Sequence, residues 1–177
     1  GGKWVAPTSG SKLEIVNPNS EEVVAVVAEA GPDDMDAAIA AAREAFDHGP
    51  WPTTPPAKRA AKLMAMADHL EARIGELSAA WTAQVGGLAS FAPIMHGGAV
   101  AGIRGIAAMG DSFAWTEKRK GQQVDTAMIV REPVGVVVGI APWNAPFGIM
   151  ANKVAYSLIS GCTIIMKPSP ETPLEAY

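Results

Sequence analysis

Val134-Gly135-Val136-Val137-Val138-Gly139-Ile140, then Ala141-Pro142-Trp143-Asn144, and later Cys162-Thr163-Ile164-Ile165-Met166 running into Lys167-Pro168-Ser169, are the segments that decide the fold. The two apolar runs are short and β-branched. Continuous apolarity without alternation predicts parallel strands buried on both faces. Ala145 to about Ile159 reads as a helix between them. Strand, helix, strand is a βαβ unit, which closes right-handed onto a parallel sheet. In open α/β sheets ligands gather beyond the carboxyl ends of the strands. There this sequence places an amide, Asn144, and an ammonium, Lys167. That pair suits an anionic or oxyanionic ligand. Taken alone, each residue has a plainer reading. Asn144 fits an Asx turn between two prolines, Trp143 fits a core, and Lys153 and Lys167 fit solvated lysines.

Upstream, residues 3–6 and 12–16 read as short strands around Thr8-Ser9-Gly10. Asn17-Pro18-Asn19-Ser20 is a turn, and residues 22–28 a partner strand. Gly31-Pro32-Asp33-Asp34 opens a helix whose face is Met35, Ala38, Ile39, Ala42 and Phe46. Thr54 is the expected N-cap of the next helix, with Pro55 at its first position. Its apolar face continues through Ile74, Leu77 and Trp81 to a stop at Gly86-Gly87. A further helix is expected from about Pro93 to Lys120. Gly97, Gly98, Gly102, Gly105 and Gly110 predict close packing along it. Gln122 to Arg131 alternates, as a strand exposed on one face does.

Composition narrows the function. Hydrophobic residues make up 49%, enough for a real core. Lys and Arg number 14 against 18 Asp and Glu, a net charge of −4, so nucleic acid is not an expected partner. Residues 133–152 carry no charge, but three prolines and three glycines break the helix a membrane span requires. The single cysteine, Cys162, makes no internal disulfide, and no signal segment opens the chain, so a cytoplasmic protein is expected. His48, His69 and His96 lack metal-ligand spacing.

Glu132-Pro133-Val134-Gly135, Pro142-Trp143-Asn144-Ala145-Pro146-Phe147, Lys153 and Lys167-Pro168-Ser169-Pro170-Glu171-Thr172-Pro173 together resemble the aldehyde dehydrogenase superfamily. Asn17-Pro18, the segment Ala37 to Phe46, and Arg59 to Leu70 extend the likeness over essentially the whole chain. It covers only the front of the family's longer polypeptide. The resemblance implies an α/β fold with an incomplete Rossmann-like parallel sheet, flanking helices and a β-strand oligomerisation arm. The implied division is a hairpin with helices over residues 1–121, the arm strand over 122–131, and the first βαβ unit over 132–177.

It also implies chemistry. A cysteine thiolate attacks an aldehyde, the resulting oxyanion collapses with hydride transfer to NAD or NADP, and water hydrolyses the thioester. Asn144 would donate to the oxyanion, and Lys153 would support it electrostatically. Lys167 would bind the adenosine ribose, with Ile140, Ala141, Pro142, Trp143, Ser169 and Pro170 lining the cofactor groove. Pro170 stands where many NAD-preferring members carry a glutamate, with Glu171 one place later; NAD is expected and NADP stays open. Cys162 sits inside an expected strand, five positions before Lys167, and reads as structural. The nucleophile and base glutamate of the family have no counterpart here, so this chain alone is expected to be inactive. The alternatives are a non-catalytic cofactor-binding or oligomerisation module, and part of a related acylating reductase acting on acyl-CoA or acyl phosphate. A dimer or tetramer is the implied assembly.

Overall fold

The computed structural model describes residues 3–177. An antiparallel hairpin comes first, β1 (Lys12–Val16) and β2 (Val23–Ala28). Its turn is set by Asn17, whose side-chain oxygen accepts the N–H groups of Asn19 (2.8 Å) and Ser20 (3.3 Å). Ile15 is its buried anchor. The strand expected at residues 3–6 does not form. Among the described residues β1 pairs only with β2, so residues 3–6 join no ladder.

Helix α1 (Pro32–Asp47) starts as its acids dictate. The Asp34 carboxylate accepts N–H bonds from Gly31 (2.8 Å) and Thr8 (2.9 Å), and these donors hold its pKa below the ordinary value. Helix α2 (Pro56–Glu71) begins one residue later than expected. Pro55, preceding another proline, is kept out of the helical region at φ −54°, ψ 142°. The Thr54 hydroxyl donates to the Pro50 carbonyl (2.8 Å) and does not cap the helix.

The expected single helix through Trp81 is two. A tight bond from Arg73 N–H to the Leu70 carbonyl (3.0 Å) breaks it, and α3 (Ile74–Val85) sets off anew. Side-chain periodicity does not register such i→i+3 tightening. Gly86, at φ +75°, ends α3 in the left-handed conformation that glycine adopts freely.

The expected helix from Pro93 to Lys120 also stops early. Helix α4 (Ala92–Ala107) is followed by the short α5 (Met109–Ser112). The break is at Ala108, and within α5 a Cβ at Gly110 would lie 2.6 Å from that of Ala60, so α5 packs closely on α2 there. The other four glycines of this stretch do not mark close packing: nothing stands within 4 Å of a Cβ built at Gly97, Gly98, Gly102 or Gly105. Beyond α5, β3 (Thr116–Arg119) pairs antiparallel with β4 (Ala127–Val130), so the expected strand at 122–131 shrinks to its second half.

The βαβ unit forms as read: β5 (Val136–Ile140), α6 (Pro146–Ile159) and β6 (Thr163–Lys167), with the strands parallel. Its burial differs from expectation. Val138 is 48% and Ile140 59% exposed, because among the described residues the sheet has two strands and neither is central. The principal core is helical instead. Leu63 and Ala67 of α2, Val100 and Ile103 of α4, and Phe147 and Ala155 of α6 meet in it. No helix among the described residues is long and apolar enough to cross a membrane.

Candidate active site at the strand ends

Parallel pairing sets Ile140 opposite Lys167, so β5 and β6 finish at the same edge. The chain leaves β5 through Ala141, whose N–H donates to the Lys167 carbonyl (3.0 Å) and which is buried beside Met150 and Val154. Pro142, Trp143 and Asn144 then run across this edge exposed, before Pro146 starts α6. Trp143 is 59% exposed and so not a core residue.

Two hydrogen bonds fix this loop by its backbone. The Thr172 hydroxyl donates to the Trp143 carbonyl (2.8 Å), and the Trp81 indole N–H donates to the Asn144 carbonyl (3.1 Å). Consecutive carbonyls are thus held from two sides. The Asn144 side chain is exposed and has no hydrogen-bond partner among the described residues. An anchored backbone with a free amide is the arrangement a donor to an external oxygen needs.

Lys167 is also exposed; its ammonium donates only to the neighbouring Pro168 carbonyl (3.2 Å). Beside it the Ser169 hydroxyl donates to the Glu171 carboxylate. That bond, a backbone N–H and the charge of Lys167 hold the Glu171 pKa below its usual range. Pro170 is exposed between them. Lys153 lies on the exposed side of α6, its Cβ near the backbone of Gly139. The structure therefore gathers Ile140, Ala141, Pro142, Trp143, Asn144, Lys167, Ser169 and Pro170 at one edge, with Lys153 two turns along the helix behind it. The chemistry of these donors fits a ribose and an oxyanion. Cys162 is buried, its sulfur accepting from the Ser160 hydroxyl (3.5 Å).

An apolar cavity of about 390 Å³ lies under this edge, between Met150, Met166, Leu77 and Leu174. Neither Asn144, Lys153 nor Lys167 lines it.

Sequence reading missed a buried polar cluster beneath the loop. His96 on α4 is fully buried. Its Nε2 lies 2.6 Å from Oε1 of Glu175, in the 3-10 turn Leu174–Ala176, and its Nδ1 lies 2.7 Å from the Ala92 carbonyl. Both neighbours can accept, an arrangement that favours a doubly protonated imidazolium paired with a carboxylate. Burial pushes the His96 pKa down, but the Glu175 hydrogen bond, the Ala92 carbonyl and the Glu175 charge together outweigh it and leave it above 6.5. Gln84 completes the cluster, donating to Glu175 Oε2 (3.1 Å) and accepting the Leu174 N–H (2.8 Å). A signal did exist: His96 falls on the apolar stripe Ala92, Val100, Ile103, and Gln84 extends the face Leu77–Trp81.

Comparison with known proteins accords with this geometry. The model of the aldehyde dehydrogenase family matches residues 4–177. Aldehyde dehydrogenase 1 of Tanacetum cinerariifolium is 37% identical over 98% of this chain and 35% of its own length. An NADP/NAD-dependent aldehyde dehydrogenase of Escherichia coli is 36% identical over 99% of the chain and 35% of its own length. Among solved structures, a Mycobacterium tuberculosis aldehyde dehydrogenase complexed with NAD+ superposes with a TM-score of 0.95 at 41% identity, covering 99% of this chain and 36% of that one. The chain thus spans about a third of the length of the relatives it matches, and its architecture is that of the N-terminal part of their fold. It belongs to the aldehyde dehydrogenase family.

Proposed function

We propose that this chain forms the N-terminal part of an NAD(P)-dependent aldehyde dehydrogenase, a cytoplasmic oligomer that oxidises an aldehyde to a carboxylic acid. The observation that carries the proposal is the register of Ile140 opposite Lys167, which brings an anchored Asn144 and an exposed ammonium to one edge. Bound NAD(P)+ supplies the hydride acceptor. Lys167 holds its adenosine ribose by charge-assisted hydrogen bonds, and Trp143, Ile140 and Pro142 wall the groove. The Asn144 amide donates to the oxyanion formed when a thiolate adds to the aldehyde carbon and the carbonyl electron pair moves to oxygen. Lys153 adds positive charge behind that amide. Cys162 is buried, which supports the reading that the attacking thiolate is not its own and that these residues alone do not turn over aldehyde.

Glu171 stands one place beyond Pro170, charged beside Lys167; a carboxylate at the ribose would disfavour a 2′-phosphate, which supports NAD and leaves NADP open. Strand β4, with Met128 and Val130 exposed, supports a role as the oligomerisation arm over residues 122–131, between the part over 1–121, whose β3 pairs with it, and the βαβ unit (132–177). Tryptophan fluorescence titrated with NAD+ tests the cofactor assignment. Lys167→Ala is expected to weaken binding by roughly tenfold, the loss of one charge-assisted hydrogen bond. Unchanged affinity in both Lys167→Ala and Trp143→Ala would overturn it.

A further inference from the structure

The cluster of His96, Glu175 and Gln84 has no part in the chemistry above, yet three of its contacts lead to the Asn144 loop. Gln84 lies one helical turn beyond Trp81 on α3, and Trp81 donates to the Asn144 carbonyl. Gln84 also accepts the Leu174 N–H, two residues after Thr172, which donates to the Trp143 carbonyl. The His96 ring meets the Trp81 ring edge-on at 6.5 Å and the Phe147 ring at 5.3 Å, and Phe147 is three residues after Asn144. Three elements that touch the loop are thus tied at one buried ion pair whose side chains are 0% and 1% exposed.

We propose that His96, Glu175 and Gln84 are positioning residues that fix the Trp143–Asn144 backbone and so aim the Asn144 amide. Glu175 anchors His96 with one oxygen and Gln84 with the other. Gln84 in turn holds the C-terminal turn against α3. With Glu175 neutral, His96 loses its counter-ion, and a single oxygen is left to accept from both His96 and Gln84. Gln84 then reorients, and both donors to the loop carbonyls loosen together. A buried polar group kept fully satisfied in this way specifies one arrangement of the elements it joins.

The inference is tested in the protein that carries this chain, with two readouts. The first is the indole N–H resonance of Trp81, distinguished from the other tryptophans by Trp81→Phe. Glu175→Gln and the shape-conserving Gln84→Met should each move it and speed its exchange with solvent. The second rests on the proposed dehydrogenase activity. Glu175→Gln should lower kcat by roughly ten- to a hundredfold with little change in the KM for aldehyde, as expected for a misplaced group. In an Asn144→Ala background the same substitution should cost nothing further. An unmoved Trp81 resonance in both variants, or an equal loss of kcat with and without Asn144, overturns the proposal. Full activity of Asn144→Ala would instead refute the oxyanion role, and the Trp81 resonance would then decide the positioning role on its own.

Discussion

Two polar groups of residues lie close together in this chain and differ in every physical respect. Beneath the loop, His96, Glu175 and Gln84 are buried and satisfy one another. At the strand ends, Asn144 and Lys167 are exposed and nearly partnerless. The first group spends its donors and acceptors on holding the fold; the second leaves them available to a ligand. Substitutions should therefore divide: below, stability is lost and function suffers only through the loop; above, function is lost at no cost to stability.

The largest expected effect is on the buried side. Glu175→Ala strands the His96 cation, and breaking such a pair costs about 3–5 kcal/mol; urea unfolding monitored by circular dichroism measures it. An unfolding midpoint like that of the parent would erase the contrast. Next comes Asn144→Ala. Loss of an oxyanion donor should lower kcat by about 10²–10³, or about 2.7–4 kcal/mol. The same change should leave stability within about 0.5 kcal/mol, since the side chain touches nothing that holds the fold.

A smaller effect is set by pH. The folded-state pKa of His96 is raised above 6.5, so the pair's stabilisation is complete below pH 6.5 and drains away as pH rises through the folded-state pKa. The groups facing His96 are Glu175, the Ala92 carbonyl and Ser78, whose hydroxyl lies 3.4 Å from Nδ1. Thermal unfolding at pH 6 and pH 9 should show the loss, and His96→Gln should abolish the difference attributable to this pair. The smallest effect belongs to the surface. Arg104 bridges Asp68 and Glu71 at 2.6 Å, but both acids face solvent. Screening and side-chain entropy absorb most of such a gain, so Arg104→Gln should leave the unfolding midpoint within error.

The same contrast explains what could be read beforehand. Elements whose signal is local were legible: the Asn17 turn, the acid-led start of α1, and the β5–α6–β6 unit. The strand-end residues were legible too, because a strand's end and its turn are adjacent in sequence. Breaks caused by tertiary contact were not. The helix breaks at Ala108, just before Gly110 packs on Ala60, fifty residues earlier in the chain, and α3 departs from α2 through one tightened turn at Arg73. The buried cluster joins positions 84, 96 and 175 from three elements. No spacing rule links such residues, and only their misfit with the apolar faces around them marks them out.

Cys162 offers a use of its own. It is the chain's sole thiol, and it is buried immediately before β6. A thiol-reactive dye should leave the native molecule unlabelled and mark it only when β6 lifts away from α6. The rate of labelling would then clock the opening of the unit that carries both Asn144 and Lys167, with no engineered probe.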